Sequence, residues 1–185
     1  MFNQLKVVLV LLAVATGTAQ AQSFVSVNSM FGKSPTGARD TGYVFVVGHR
    51  MNNVIVDASA ETIIPDATKT SINRLEGGAS FLLPTGTTIT PYVRTALGIK
   101  TVGGNQFSYY SAEPGIRMTV GPGTARLGWR YRNAVDADQF NDNTRTWRAI
   151  YVLPVTKTVD LNFAYEAARG DANYNGVMTG FTVRF

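Results

Sequence analysis

The sequence predicts an all-β protein, an antiparallel up-and-down transmembrane β-barrel, with ten strands favoured and eight as the alternative. Apolar and polar residues alternate through nearly all of the chain after residue 22, and turn residues separate the alternating segments. Charged residues within one segment also fall on one face. Alternation with a period of two is the pattern of a strand with one buried face, and no window shows a sustained helical period.

Composition narrows the class of protein. The chain has 185 residues, of which 16% are charged and 45% hydrophobic, and its net charge is +5. A soluble domain carries about 25% charged residues, so this chain is poor in charge. A spanning helix needs about 20 consecutive apolar residues, and no such run follows residue 22, so an ordinary helical membrane protein is excluded. Cysteine is absent, which excludes disulfides, thiolate metal sites and cysteine nucleophiles. The basic residues are scattered, so we expect no nucleic-acid partner.

The N-terminus has the pattern of a secretory signal peptide. Lys6 supplies a positive charge, residues 7–15 are apolar, and Ala19-Gln20-Ala21 supplies small residues at the cleavage positions. The apolar run is less than half the length of a membrane-spanning helix. We therefore expect residues 1–21 to be cleaved and residues 22–185 to form the barrel domain.

Ten strands follow in order, because each alternating segment ends at a cluster of turn residues. We predict strands at residues 23–31, 43–50, 54–62, 72–83, 87–99, 107–120, 124–133, 145–154, 159–168 and 176–185. Tight turns are predicted at 52–53, 84–86, 122–123 and 155–158, and longer polar loops at 32–42, 63–71, 100–106, 134–144 and 169–175. Strict alternation of long and short connections predicts a meander with its turns at one end and its loops at the other.

Charges mark one face of each strand. In segment 124–133 the residues Arg126, Arg130 and Arg132 alternate with apolar residues, and in segment 159–168 Asp160 and Glu166 share a face. A soluble barrel would turn this charged face outward, whereas a membrane barrel turns it inward.

Glycines favour the membrane barrel. Five of them lie on the charged face: Gly78, Gly98, Gly115, Gly128 and Gly180. Glycine weakens a strand unless something crowds it. Inside a narrow barrel these glycines would make room for long arginine side chains.

Aromatic residues on the apolar face favour the same choice, because they lie near the strand ends. A membrane barrel carries aromatic girdles at both interfaces. The predicted girdle consists of Phe31, Phe81, Tyr110, Tyr131, Trp147, Tyr165 and Phe185.

The last strand carries Val177, Phe181 and Val183 in step with Phe185, at which the sequence ends. With the signal peptide and the alternating strands, this strand resembles the small outer-membrane β-barrels of Gram-negative bacteria, of the OmpA/OmpX-like or opacity type. The resemblance implies an integral outer-membrane protein with both termini in the periplasm. It also implies that these four residues form the signal read by the outer-membrane insertion machinery. Outer-membrane lipid and lipopolysaccharide are the other expected partners.

The inward face would hold a network of charges. It comprises Arg50, Arg74, Arg94, Arg117, Arg126, Arg130, Arg132, Arg148 and Arg184 with Asp57, Glu61, Glu76, Glu113, Asp160 and Glu166. A two-residue type I′ turn at Asn52-Asn53 would direct Arg50 inward and His49 outward.

Turn chemistry also predicts which charges meet. A turn centred on Pro122-Gly123 sets Glu113 opposite Arg132, and a turn at 84–86 sets Glu76 opposite Arg94. Arg148 is predicted opposite or diagonal to Glu166. Such a network either lines a selective channel or fills the barrel as a polar core.

The sequence motifs that could support catalysis or metal binding are weak. His49 is the only histidine, and an enzyme of the lipid-modifying kind would need a serine or an acid beside it. Asp136, Asp138 and Asp142 in loop 134–144 lack the spacing of a calcium-binding hand. We expect no catalytic site, no metal and no cofactor. The expected function is a porin-like or structural barrel with a narrow, charged lumen that is either open or occluded. The alternatives are an adhesion or receptor barrel acting through its outer loops and, less favoured, a lipid-modifying enzyme.

Overall fold

The computed structural model describes residues 21–34, 37–136, 140 and 142–185. The predicted signal peptide lies outside these residues except for Ala21. Ten strands are present: β1 (Ala21–Lys33), β2 (Arg39–Met51), β3 (Val54–Pro65), β4 (Ile72–Leu82), β5 (Ile89–Val102), β6 (Asn105–Val120), β7 (Gly123–Ala134), β8 (Thr144–Pro154), β9 (Val159–Gly170) and β10 (Tyr174–Arg184).

The strands form one closed antiparallel barrel in which each strand pairs with the next and β1 pairs with β10. The predicted ten-strand meander is confirmed, and the eight-strand alternative is wrong. The seam is held at its end by two backbone hydrogen bonds of 3.0 Å between Ser23 and Phe185. No helix in the described part of the chain is long and apolar enough to cross a membrane.

The two ends of the barrel are named by the chain segments that lie at them. The terminal end holds Ala21, Phe185 and the connections 52–53, 83–88, 121–122 and 155–158. The loop end holds the connections 34–38, 66–71, 103–104, 135–143 and 171–173.

The predicted alternation of long and short connections is wrong. The expected loop at 100–106 is the two-residue turn Gly103-Gly104, whose φ angles of 58° and 91° fit a type I′ hairpin. The expected tight turn at 84–86 is instead part of the connection 83–88. Because several strands continue past the predicted boundaries at the loop end, only the connection 135–143 remains long.

One predicted register is right and two are wrong. Arg50 pairs with Ile55 as expected, although only Asn52 of the turn has a positive φ, so the turn is not type I′. In the β6–β7 hairpin the turn centres on Gly121-Pro122, because Gly121 takes the left-handed conformation at φ 57°. Arg132 therefore lies opposite Ser111 rather than Glu113.

The β4–β5 register has also moved, so that Glu76 lies opposite Gly98 rather than Arg94. Both slips are by an even number of residues. A strand exchanges its faces only when the register slips by an odd number. The inward and outward assignments therefore survive both errors.

Candidate functional site in the barrel lumen

The structure places the whole predicted charge network on the inner face of the wall, and adds two groups to it. The predicted residues lie on strands β2 to β10, at the inward positions of the observed strand registers. The additions are Lys100, on a part of β5 predicted to be loop, and Asp142, from the connection 135–143.

Arg94 joins two carboxylates in the first part of the network. Its Nη1 donates to Glu76 Oε1 at 2.6 Å, and its Nε donates to Asp57 Oδ2 at 3.1 Å. The predicted Glu76–Arg94 pair is therefore present, but through a diagonal reach rather than through facing positions. Because Asp57 is on β3 and Arg94 on β5, the contact passes in front of β4.

Arg148 joins two more carboxylates at mid-height. Its Nη1 donates to Glu113 Oε2 at 2.8 Å, and its Nε donates to Glu166 Oε1 at 2.6 Å. Glu166 lies directly opposite Arg148, as predicted. Hydroxyls complete both acids, since Tyr92 donates to Glu113 at 2.8 Å and Tyr174 donates to Glu166 at 2.7 Å.

The predicted Glu113–Arg132 pair is wrong. Arg132 instead bonds Asp142, with Nε 2.7 Å from Oδ2 and Nη2 3.0 Å from Oδ1. Lys100 Nζ also bonds Asp142, at 2.8 Å, and the carboxylate is 0% exposed. Sequence reasoning missed this cluster because Asp142 comes from a loop that folds into the barrel mouth.

Of the loop aspartates, Asp142 lies within ion-pair distance of Lys100 and Arg132, and Asp138 lies outside the described residues. Among the described residues no group of three possible metal ligands occurs. Phe140 stacks on Phe107 at 5.0 Å between ring centroids, beside the Asp142 cluster.

Inward glycines accommodate tyrosine more than arginine. A Cβ at Gly128 would come within 2.6 Å of the Tyr92 hydroxyl, and one at Gly115 equally close to the Tyr92 ring. A Cβ at Gly98 would overlap the Tyr109 ring. Only at Gly78 does an arginine, Arg94, fill the space as expected, at 2.8 Å. Period-two alternation already places Tyr92 on the same face as Arg94. A large, uncharged side chain, however, is not by itself a sign of a position in the lumen.

Three inward arginines have no carboxylate partner among the described residues: Arg50, Arg117 and Arg126. All three lie on strand segments at the terminal end and are partly exposed. Arg184, at the same end, bonds Asp160 at 2.8 Å.

The aromatic residues predicted to form a girdle lie on the outer face. Phe31, Phe81, Tyr110, Tyr131, Trp147, Tyr165 and Phe185 all point away from the lumen. Trp147 is 65% exposed and Phe185 64% exposed, and every strand of the barrel carries at least one exposed large apolar side chain, so the outer face is an extended apolar surface of the kind that marks a protein or membrane contact. Val177, Phe181 and Val183 lie on the same outer face, in step with Phe185.

His49 points outward as predicted, but it is not isolated. Ser23 lies directly opposite on β1, and its Oγ is 2.9 Å from His49 Nδ1. No carboxylate in the described ranges bonds the imidazole. The pair lies at the terminal end, where β1 begins.

Together, a closed wall, a charged interior and a ring of exposed apolar side chains define a transmembrane β-barrel. Closure of the sheet leaves no strand edge, so the backbone groups of the wall can pair within it, which a segment in lipid requires.

Comparison with known proteins gives no closer assignment. No family model and no curated protein matches the chain. Among solved structures, the chain is similar to Neisserial surface protein A, with 14% identity, a TM-score of 0.47, and coverage of 91% of this chain and 99% of that one. It is also similar to the KdgM porin in complex with disordered oligogalacturonate, with 8% identity, a TM-score of 0.49, and coverage of 89% and 99%. The translocator domain of the autotransporter NalP from Neisseria meningitidis shows 9% identity, a TM-score of 0.45, and coverage of 98% and 95%.

Proposed function

We propose that the protein is an integral outer-membrane β-barrel whose lumen is closed by its own charged side chains. The fold and the apolar outer face support the membrane location. The burial of the lumen charges supports the closed interior, and it is the observation that carries the proposal.

Burial is nearly complete where the lumen charges bond one another along the wall and at its mouth. Glu113 is 1% exposed, Glu166 and Arg132 4%, and Asp142 0%. A water-filled pore would leave the carboxylates on its wall accessible. Each of these acids instead bonds an arginine or a lysine from another part of the wall, so the side chains fill the space as they do in small barrels.

Fractionation tests the location. The protein should sediment with outer membranes and stay there in alkali. Folded barrels also keep their shape in detergent, so boiled and unboiled samples should migrate differently in a gel. Equal migration, together with recovery in the soluble periplasmic fraction, would reject the membrane assignment.

Orientation has its own test. We propose that the terminal end faces the periplasm and the loop end faces the outside. A cysteine in place of exposed Thr68, in the connection 66–71, should react with an impermeant thiol reagent on intact cells. A cysteine in place of exposed Asn53 should react only after the outer membrane is opened. The reverse pattern would invert the proposed topology.

Reconstitution tests the lumen. Liposomes that contain the protein should retain an entrapped small sugar as well as empty liposomes do. Release of the sugar at a rate that rises with the amount of protein would favour an open porin.

The outer face supports two further expectations. We propose that the girdle aromatics contact outer-membrane lipid and lipopolysaccharide. We propose that Val177, Phe181, Val183 and Phe185 are read by the insertion machinery. Phe185→Ala should lower the assembled fraction in cells, while Thr158→Ala, in an exposed connection at the same end, should not.

An adhesion or receptor role has less support. The connections at the loop end are short, and the longest spans only residues 135–143. Part of that connection folds inward, because Asp142 is buried in the mouth of the barrel. Little of the loop end is left to present a separate binding surface.

A lipid-modifying activity is the second candidate, because the structure does set a serine beside His49. An imidazole at hydrogen-bond distance can take the proton of a hydroxyl, but a triad also needs a third group to orient the imidazole. The described residues supply no such carboxylate to His49. We therefore propose that Ser23 and His49 only satisfy each other's polar groups. Labelling by a fluorophosphonate in the parent protein that is lost in Ser23→Ala would favour the enzyme instead.

A further inference from the structure

We infer that Arg50, Arg117 and Arg126 form a binding site for a small oxyanion, such as phosphate or a multivalent carboxylate, in the terminal mouth of the lumen. These three residues are called the arginine triad below. The inference stands on the pairing pattern of the lumen and does not depend on whether the lumen conducts.

The first observation is the distribution of ion pairs. Seven inward cations lie within ion-pair distance of a carboxylate among the described residues: Arg74, Arg94, Lys100, Arg130, Arg132, Arg148 and Arg184. The inward cations without one are the three of the arginine triad, and all of them lie at one end. An even spread of unpaired charge would have indicated general solvation, whereas this grouping indicates a site.

The second observation is a like-charge pair. Arg117 and Arg126 are directly opposite each other in the β6–β7 ladder. Like charges facing each other across two strands destabilise a sheet. Arg50 adds a third positive charge from β2, and both Arg50 and Arg126 repel Arg117. A bound anion would relieve this repulsion.

The acidic side chains described at or near this end already bond other groups. Asp160 accepts from Arg184 at 2.8 Å, and Asp57 bonds Arg94. Glu113 attracts Arg126, but its two oxygens already accept bonds from Tyr92 and Arg148. The triad is therefore left to a ligand from outside the chain.

The third observation is the number of hydrogen-bond donors that the three guanidinium groups offer. Arg50 bonds the carbonyl oxygen of Asn52 at 3.1 Å, and Arg126 lies over the Tyr92 ring with its Cζ 4.7 Å from the centroid. Arg117 makes no hydrogen bond among the described residues. A guanidinium offers five N–H donors in a planar fork that matches carboxylate and phosphate. Tyr92 holds Arg126 in place, which reduces the entropy lost when an anion binds.

Access separates the triad from the rest of the lumen. Arg50, Arg117 and Arg126 are all partly exposed, whereas Glu113, on the same strand as Arg117, is 1% exposed. A soluble anion can therefore enter from the terminal end without crossing the closed middle. Because the triad lies on the inner face, it is reached by a solute in water and not by a lipid headgroup.

Titration calorimetry with inorganic phosphate, on the folded protein in detergent and against chloride at equal ionic strength, tests the site. The parent should show saturable binding. Arg117→Gln should weaken the affinity for phosphate at least tenfold. The matched control is Arg145→Gln, which removes an exposed arginine at the loop end and should leave the affinity unchanged.

A charge reversal makes the test decisive. Arg117→Glu would supply the missing carboxylate opposite Arg126, so phosphate binding should disappear. The variant should also resist heat in phosphate-free buffer better than the parent, measured as the temperature at which half of the sample loses its folded gel mobility. The folded mobility itself reports that the variant is intact. Absence of saturable phosphate binding by the parent, or binding unchanged in both Arg117 variants, would overturn the inference.

Discussion

Two regions of the lumen use the same residue types in opposite ways. From mid-height to the loop end, arginines and acids are buried and bonded to one another. At the terminal end, the arginine triad is partly exposed and has no carboxylate partner in the described structure. Composition alone therefore does not decide whether an inward arginine is part of the packing or available to a ligand. The presence of a carboxylate within reach decides it.

The contrast can be tested because substitutions in the two regions should change the free energy of unfolding by different amounts. Removing one partner of a buried pair leaves an uncompensated charge and costs about 3–5 kcal/mol, while even a complete ion pair exposed to solvent contributes only about 0–1 kcal/mol. Substitutions in the paired region should therefore destabilise the barrel, and those in the triad should not.

The largest effect is expected at Glu113. Glu113→Ala would leave Tyr92 without its acceptor and Arg148 with only Glu166. We expect a loss of about 3–5 kcal/mol in the free energy of unfolding, measured by urea titration of the reconstituted barrel. Unchanged stability would show that this part of the lumen is hydrated.

Arg132→Ala should cost about 2–4 kcal/mol, because it orphans the buried carboxylate of Asp142. The sharper readout is the double-mutant cycle. Asp142→Ala should recover part of the loss, whereas Glu113→Ala should add to it independently, since contact residues couple and separate ones do not. Coupling to Glu113 instead of Asp142 would favour the register predicted from sequence over the one observed.

Gly98→Ala tests the packing behind the charges. The added methyl would overlap the Tyr109 ring, so we expect a loss of about 1–3 kcal/mol in the free energy of unfolding. Gly77 is the matched control, because a Cβ there meets nothing within 4 Å. Equal effects at the two glycines would show that Tyr109 does not occupy the space beside Gly98.

The smallest effect is expected in the triad. Arg117→Ala removes one member of a like-charge pair, so the free energy of unfolding should stay within about 0.5 kcal/mol of the parent or rise slightly in phosphate-free buffer. A loss comparable to that of Glu113→Ala would erase the distinction between the two regions.

Much of this arrangement could be predicted from sequence because a strand has only two faces. The inward positions of Glu113, Arg148 and Glu166 follow from period-two alternation, and the Arg148–Glu166 pair follows from that alternation together with the turn at 155–158. The Glu113–Arg132 pairing failed because two adjacent turn candidates, Gly121-Pro122 and Pro122-Gly123, differ by one position. Moving a turn by one position shifts the strand pairing by two residues, which changes the facing partners but leaves each side chain on the same face.

The Asp142 cluster could not be predicted by the same means. Periodicity places side chains on strands, and Asp142 belongs to a connection whose path depends on the finished barrel. Its position is fixed by long-range contacts with Arg132 and Lys100, which lie on β7 and β5. No local pattern in the sequence marks that meeting.

The central claim is that paired charges close the middle of the lumen, and single-channel conductance in planar bilayers tests it most directly. The parent should give no sustained openings, and neither should Arg117→Ala. The double variant Glu113→Ala/Arg148→Ala, which removes two long side chains from mid-height, should give stepwise openings. A steady conductance in the parent that is unaffected by the double substitution would contradict the claim.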